Sequence, residues 1–232
     1  MNTAVTKSSV RSTVPKRRLY MPENAGDQAR FHLRLNDILE RSATLFSEQG
    51  YHNTSMRDIA GAMHTSLAGL YYYFKTKEEL LFLISQYSFN SVIGSLHEKL
   101  AHVHDPVLKL HILVQNHLLY FVTHLDAMKI LALESDSLTG EYHRIINEKK
   151  KNYLKILETI LSEMVISKNN KSARRTTPEI KIAALALFGM MNWTYTWYNP
   201  KKRTHNTTNI ARISKQMVDI FLSGFLQKNL QS

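Results

Sequence analysis

The sequence predicts an all-α chain, with a small N-terminal head of three helices followed by a larger helical bundle. Three observations predict it. Apolar residues recur at i, i+3, i+4 spacing from Leu35 to the last helix, and no run alternates with the period of a strand. Helix-start signatures recur too: Ser55-Met-Arg-Asp58 and Thr76-Lys-Glu-Glu79 are capping boxes, and Asp105-Pro106 and Thr177-Pro178 set a capping side chain before a proline at the first helical position. No glycine-rich nucleotide loop and no internal repeat interrupts this pattern.

At 232 residues and 44% hydrophobic content the chain can form a real core. The absence of cysteine excludes disulfides, thiolate catalysis and thiolate metal sites, and suits a reducing cytosol. No apolar run reaches the length of a membrane span, and the basic, polar N-terminus lacks the apolar segment of a secretory signal, so a cytoplasmic protein with no membrane partner is expected. A formal net charge of +11 favours a polyanionic partner, nucleic acid first.

Residues 1–30 read as a mobile basic tail, carrying Lys7, Arg11, Lys16, Arg17, Arg18 and Arg30, with Pro15 and Pro22 opposing helix. Such a tail is either an arm that meets phosphates or the minor groove, or a solvated terminus. Residues 31–77 form the head and 78–232 the bundle. The first helix spans 31–49, buries Leu35, Ile38, Leu39, Ala43 and Phe46, and ends at Gly50. A short helix follows the Ser55 cap, with Ile59, Ala60 and Met63 inward; His64 and Thr65 break it; Ser66 caps a second short helix over 67–74. A long helix over 77–101 buries Leu80, Leu81, Ile84, Val92 and Leu96 and joins head to bundle as a lever arm. Further helices are expected at 106–124, 125–134, 140–166 (Ile145, Ile146, Tyr153, Leu154, Leu157, Ile160 and Leu161 inward), 178–198 and 209–226 (Ile210, Ile213, Met217, Ile220, Phe221, Gly224 and Phe225 on one stripe). Residues 168–176 and 201–208 read as solvated connections.

The pair of short helices joined by a tight turn makes a helix-turn-helix. Its second helix opens on Ser66-Leu67-Ala68-Gly69, whose mostly small side chains let backbone approach a groove floor, and closes on Tyr71, Tyr72 and Tyr73. Three consecutive residues spread over about 200° of a helix, so not all three rings can face the core. Phenols there suit phosphate oxygens, which fix register without reading sequence. Lys75 and Lys77 add charge, and Thr54, Ser55 and Arg57 steady the approach.

On these residues the segment 35–81 resembles the DNA-binding domain of the TetR family of bacterial regulators. The resemblance rests on Ala43, Leu45 and Phe46; Gly50-Tyr51; Thr54-Ser-Met-Arg-Asp-Ile-Ala60; and Gly69-Leu-Tyr-Tyr-Tyr-Phe-Lys75 with Lys77-Glu-Glu-Leu80. His64 departs from it, standing where the family usually has glycine; a left-handed backbone there costs His less than most residues.

The helix over 178–198 is apolar nearly all round in its middle (Ile182, Ala183, Leu185, Ala186, Phe188, Gly189, Met190, Met191), which marks deep burial or an interface. Its small residues permit close helix approach. Pairing the last two helices with those of a second copy would form a four-helix bundle and set two heads about 34–36 Å apart. The family resemblance implies such a homodimer, a double-stranded DNA operator as partner and a small hydrophobic ligand.

Trp193 and Trp197 are an i, i+4 pair, with Asn192 a polar group in apolar surroundings. They either fill a bundle end or wall an apolar ligand pocket. The run Gly189-x-x-Asn192-Trp193-x-x-x-Trp197-Tyr198-x-Pro200 is similar to that of TetR relatives responding to acyl-CoA thioesters in lipid breakdown. That likeness implies an acyl chain lined by Phe121, Met128, Leu133 and Phe188, with a phosphate-bearing part held by a basic residue such as Lys150, Arg174 or Lys201. His97, His104, His111, His117 and His124 recur, several spaced by seven and thus near one face, drifting by about 20° per heptad. They lack the i, i+3 or i+4 pairing of a metal site, so no metal is assigned, and no nucleophile constellation or facing carboxylate pair marks an enzyme. The expectation is a homodimeric repressor with no resident cofactor, released from its operator by a fatty acyl-CoA or related thioester. The alternative is a DNA-binding regulator or activator that answers a different hydrophobic ligand or none.

Overall fold

The computed structural model describes residues 24–169, 177–198 and 207–230. Within them the chain is helical throughout, without strands: α1 Ala25–Gln49, α2 Met56–Ala62, α3 Leu67–Tyr71, α4 Lys77–Leu100, α5 Pro106–Thr123, α6 Leu125–Leu133, a 3-10 turn Ser135–Ser137, α7 Gly140–Asn169, α8 Pro178–Asn192, α9 Thr194–Trp197 and α10 Thr207–Leu230. Residues 1–23 of the arm expected over 1–30, residues 170–176 and 201–206 of the connections expected over 168–176 and 201–208, and Arg174 and Lys201 lie outside the described residues; the described parts of these segments are largely helical.

Helix starts follow their capping chemistry. The Ser55 hydroxyl accepts from the Asp58 N–H while the Asp58 carboxylate accepts from the Ser55 N–H, a complete capping box. At α4 the box is displaced by one residue: Thr76 accepts from the Glu79 N–H, but the Glu79 carboxylate accepts from the N–H of Lys75. Asp105 and Thr177 cap α5 and α8, each ahead of a proline. Several helices depart from the sequence reading: α3 ends at Tyr71 and not at residue 74, α7 runs on to Asn169, and α10 spans Thr207–Leu230. Helix α1 begins at Ala25, six residues early, because Asn24 accepts from the Asp27 N–H at 2.7 Å and supplies a cap just beyond Pro22. The penultimate helix stops at Asn192; Trp193 is a turn residue, and the short α9 follows.

The turn between α2 and α3 is a Schellman closure. The Thr65 N–H donates to the Ala60 carbonyl at 3.0 Å and the His64 N–H to that of Gly61 at 3.1 Å, with His64 at φ 50°. His64 therefore occupies the left-handed position that usually takes glycine. From α1, the Arg34 guanidinium donates to the Met63 carbonyl at 3.2 Å and holds the turn.

Two cores form. The first packs Phe31, Ile38, Leu39 and Phe46 of α1 with Ile59, Leu70 and Phe74, but it continues through Leu80–Ile84 of α4, Ile130 and Leu131 of α6, and Ile146 of α7. The head is thus not closed at residue 77; α6 lies along α1, and the Thr44 hydroxyl donates to the Asp126 carboxylate at 3.0 Å. The second core gathers Val92 and Leu96 with Leu110, Leu113, Val114, Leu157, Leu161, Ala184, Leu187 and Val218. Polar clasps tie its helices: the Asn116 amide donates to the Val92 carbonyl and its oxygen accepts from Ser95 and Lys99, while Lys109 pairs with Glu163 at 2.7 Å. On α10 the buried stripe runs through Ile210, Ser214 and Val218, leaving Ile220 and Gly224 of the expected stripe exposed.

Candidate nucleic-acid interface and bundle cavity

The helix-turn-helix leaves Arg57 of α2 and the start of α3 exposed. Ser66 caps α3 through its hydroxyl, which accepts from the Gly69 N–H at 3.0 Å, and Ser66 and Ala68 are exposed. A side chain at Gly69 would bring its Cβ to 2.6 Å from the Thr65 hydroxyl, so glycine here lets the turn fold tightly onto the start of α3. Leu67 is half-buried. Tyr71 and Tyr72 are 39% and 41% exposed, whereas Leu70 and Phe74, which flank the tyrosine run, carry the inward packing. Tyr73 is half-buried and stacks on Phe31 at 4.9 Å, with Tyr72 edge-on to the same ring. Two of the phenols thus face outward and one packs toward α1, although α3 ends at Tyr71 and Tyr72 and Tyr73 stand in the turn after it.

The remaining head residues take different stations. Arg57 is exposed and makes no ion pair among the described residues. Ser55 holds Asp58, whose carboxyl is kept below its usual range chiefly by the Ser55 hydroxyl. Thr54 is 1% exposed and its hydroxyl donates to the Gly50 carbonyl, so it shapes the loop and presents no hydroxyl outward. Lys77 is likewise turned inward. Its ammonium donates to the carbonyls of Tyr51, His52 and Thr54 at 2.8, 3.2 and 3.0 Å and lies 4.5 Å over the Tyr51 ring. Burial, aided by Glu78 and Glu134, pushes the Tyr51 phenol up to about 12, so it stays neutral. Both Thr54 and Lys77 are better described as residues that build the head than as groups facing DNA.

Behind the head, α4 to α8 enclose a cavity of about 540 Å³. Its wall is mostly apolar, including Phe89, Val92, Phe121, Met128, Leu131, Leu154 and Phe188. Phe121, Met128, Phe188 and Asn192 of the expected lining are brought together there; Leu133, Trp193 and Trp197 are outside it. Leu133 is 63% exposed at the end of α6. Leu185, Phe188 and Asn192 form the cavity face of α8, and Trp193 follows Asn192 by about 100° of helical turn, so both tryptophans fall off that face and are exposed.

Sequence reasoning missed Ser88 of α4 and Tyr120 of α5 in the polar part of the wall, and named its other members, His117 of α5 and Tyr153 of α7, only as one of a histidine series and as an inward residue. Their roles follow from burial. The Tyr153 hydroxyl and His117 Nδ1 share a hydrogen bond of 3.2 Å, and the two rings stack. Burial drives the His117 imidazolium down from 6.5 to about 4, with the nearby Asn192 amide opposing, so the ring is neutral at physiological pH. Burial also raises the Tyr153 phenol. Lys150 and Lys151 stand on the same wall; desolvation lowers the Lys150 ammonium, with Asp136 opposing. The heptad-spaced histidines disperse: His117 is buried, His124 joins α5 to α6, and His97 and His104 are exposed. Among the described residues no cluster of three metal-binding side chains occurs, and no helix is long and apolar enough to cross a membrane.

Helix α6 belongs to both structures. Leu131 is buried in the core shared with the head and also lines the cavity, joined there by Met128, Ala132 and Ser135. The 3-10 turn beyond it reaches back to the head, where Ser137 and Glu134 meet His52.

Comparison with known proteins agrees with this two-part construction. A family profile described as "Bacterial regulatory proteins, tetR family" matches residues 38–84, and one described as "Tetracyclin repressor-like, C-terminal domain" matches residues 103–225. The chain is similar to the fatty acid metabolism regulator protein of Bacillus subtilis, at 23% identity over 82% of this chain and 95% of that protein. It is also similar to the HTH-type transcriptional repressor KstR2 of Rhodococcus jostii, at 26% identity over 88% and 96%. Among solved structures, AibR in complex with isovaleryl coenzyme A and operator DNA superposes with a TM-score of 0.67 at 29% identity, over 81% of this chain and 97% of that one. The family matches cover the reading head and most of the bundle behind it, and the chain belongs to the TetR family, a family of DNA-binding transcriptional regulators and not of enzymes.

Proposed function

We propose that this chain is a homodimeric repressor that binds a near-palindromic operator and is released by an acyl thioester held in the bundle cavity. The observation that carries the proposal is α6, one helix that walls the cavity with Met128, Leu131 and Ala132 while packing along α1 of the head. An occupant that displaces α6 must move α1, and with it the turn that Arg34 holds to α1. Weakening operator binding tenfold requires only about 1.4 kcal/mol of differential ligand affinity between two conformers.

Support for the parts comes from separate places. Exposed Tyr71, Tyr72 and Arg57 suit phosphate contacts, with Ser66, Ala68 and Gly69 at the groove floor. The apolar cavity suits an acyl chain, and Lys150 and Lys151 suit an anionic group at its rim. The AibR structure named above holds isovaleryl coenzyme A, and the Bacillus subtilis relative regulates fatty acid metabolism. Ile182 and Ile220 are 66% and 59% exposed on α8 and α10, which pack on each other, a surface suited to a second copy. The operator would be met in the cytoplasm.

The test is a polarisation titration of labelled operator, identified by selection from random sequence. Tyr72→Ala should weaken binding at unchanged fold, and octanoyl-CoA should release the wild-type complex. Unchanged affinity in the variant removes the assigned contact. Failure of octanoyl- and palmitoyl-CoA alike to release DNA sinks the ligand class while leaving the regulator.

A further inference from the structure

The cavity wall contains a polar group whose capacity is only half used. His117 is 4% exposed, and its Nδ1 is engaged by Tyr153. Its other nitrogen, Nε2, is buried with no hydrogen-bond partner; the Asn192 amide is near enough to influence the ring but not in bonding geometry. Whichever tautomer the Tyr153 hydroxyl selects, Nε2 is left as an unpaired donor or acceptor. One turn along α5, the buried Tyr120 hydroxyl is also without a partner, with Ser88 and Ser91 close by. Both residues line the cavity.

Around them the surface is hydrocarbon. His117 contacts Phe121 and Phe188 at 5.7 Å between ring centroids, and Tyr153 contacts Phe188 at 5.0 Å. A buried polar atom left unpaired costs about 1–3 kcal/mol, and a fixed, oriented one discriminates strongly between ligands that can and cannot satisfy it. A side chain that served only to fill the cavity could be phenylalanine, as its two neighbours are.

We propose that His117 is a specificity-determining residue that hydrogen-bonds an oxygen of the effector inside the apolar cavity, with the Tyr120 hydroxyl as the adjacent second partner. The oxygen is a thioester carbonyl or a hydroxyl on the acyl group; both present the same chemistry to a neutral imidazole. Tyr153 is the positioning residue that fixes the ring. The proposal rests on the acyl-thioester reading above and refines it: the cavity reads an oxygen as well as a hydrocarbon length.

Three probes of equal chain length separate the possibilities: S-octyl-CoA, a thioether with no carbonyl; octanoyl-CoA; and 3-hydroxyoctanoyl-CoA. Their affinities for the full-length protein are measured by calorimetry, and operator release by polarisation. The wild type should bind at least one oxygen-bearing probe roughly ten- to a hundredfold more tightly than the thioether. His117→Phe should remove that preference by weakening the oxygen-bearing probe alone, and Tyr153→Phe should reduce it. The ratio between matched probes is insensitive to general loss of stability, and Tyr120→Phe, which deletes one hydroxyl, guards against a His117 variant that fails to fold. A preference for octanoyl-CoA over the thioether assigns the carbonyl; a gain only with the 3-hydroxy probe assigns the hydroxyl. Equal binding of all three probes by the wild type, or a preference that survives His117→Phe, overturns the proposal and leaves the thioester reading intact. If none of the three binds and palmitoyl-CoA does not bind either, the thioester reading fails and this refinement with it.

Discussion

Replacing Lys77 by methionine separates two roles that a basic residue beside a helix-turn-helix can play. Methionine keeps an apolar stem of similar length against the Tyr51 ring and removes only the charged end. That end makes three hydrogen bonds, to the carbonyls of Tyr51, His52 and Thr54 at 2.8, 3.2 and 3.0 Å, and a cation-π contact at 4.5 Å. A hydrogen bond from a charged donor is worth about 1.5–3 kcal/mol net, but three on one partly exposed ammonium are not additive, so the variant should be destabilised by ~2–3 kcal/mol in all. For a chain of this size that lowers Tm by about 5–10 °C. The assay is thermal unfolding paired with operator titrations over a range of salt. If Lys77 instead neutralised a phosphate, the substitution would lower the slope of log affinity against log salt by about 0.9 for each phosphate released. Because the ammonium already faces three carbonyls, the variant should melt early with its salt slope unchanged. A Tm equal to wild type, together with a slope lowered by one phosphate or more per subunit, would refute the reasoning and return Lys77 to the DNA.

Other expectations follow from the same structure. His64→Gly should raise stability by about 1 kcal/mol, since glycine accepts the φ of 50° without the steric cost, and His64→Val should lower it by a similar amount or more; chemical denaturation reads both. Because His117 titrates near 4 when folded and near 6.5 when unfolded, the unfolded chain takes up the proton first. The stability is therefore full above pH 6.5 and falls by about 3 kcal/mol as pH drops to 4, and His117→Phe should flatten that acid limb in denaturation curves taken from pH 7 to 4. Ile182→Lys, at a side chain 66% exposed on α8, should shift the protein from dimer to monomer in sedimentation experiments and weaken operator binding without lowering Tm by more than a few degrees. A monomeric wild type, or an Ile182→Lys dimer of undiminished strength, would remove α8 from the interface.

Most helix starts are readable because their chemistry is local. Ser55 with Asp58, Ser66 with Gly69, Asp105 before Pro106 and Thr177 before Pro178 each satisfy free N–H groups within four residues. The exception, α1, begins where Asn24 caps it, a signal present in the sequence but outweighed there by Pro22 and the basic run. Helix ends are less legible: no glycine or proline marks Asn192, and the buried Thr194 lies beyond it. The cavity divides along the same line. Phe121, Met128 and Phe188 stand out as large apolar residues on bundle helices, but Ser88, Tyr120 and Tyr153 reach the wall only through the packing of α4, α5 and α7, which no local pattern reports. His117 belongs to a visible histidine series; its burial, which sets it apart from His97 and His104, has no local signal. Lys77 shows the converse limit, since charge is legible but the direction of a four-carbon stem is not.

Leu131 has a consequence for how such a protein can change. Its side chain is shared between the cavity, which on the proposed reading holds the effector, and the core that supports the head. On that reading, enlarging or trimming it to suit a new effector also alters the packing under the head, so effector sensitivity and operator affinity would be coupled at that position. Adaptation to a different signal is easier through the opposite wall, at Phe188 or Leu154, where a change alters the occupant and leaves the head's own packing untouched.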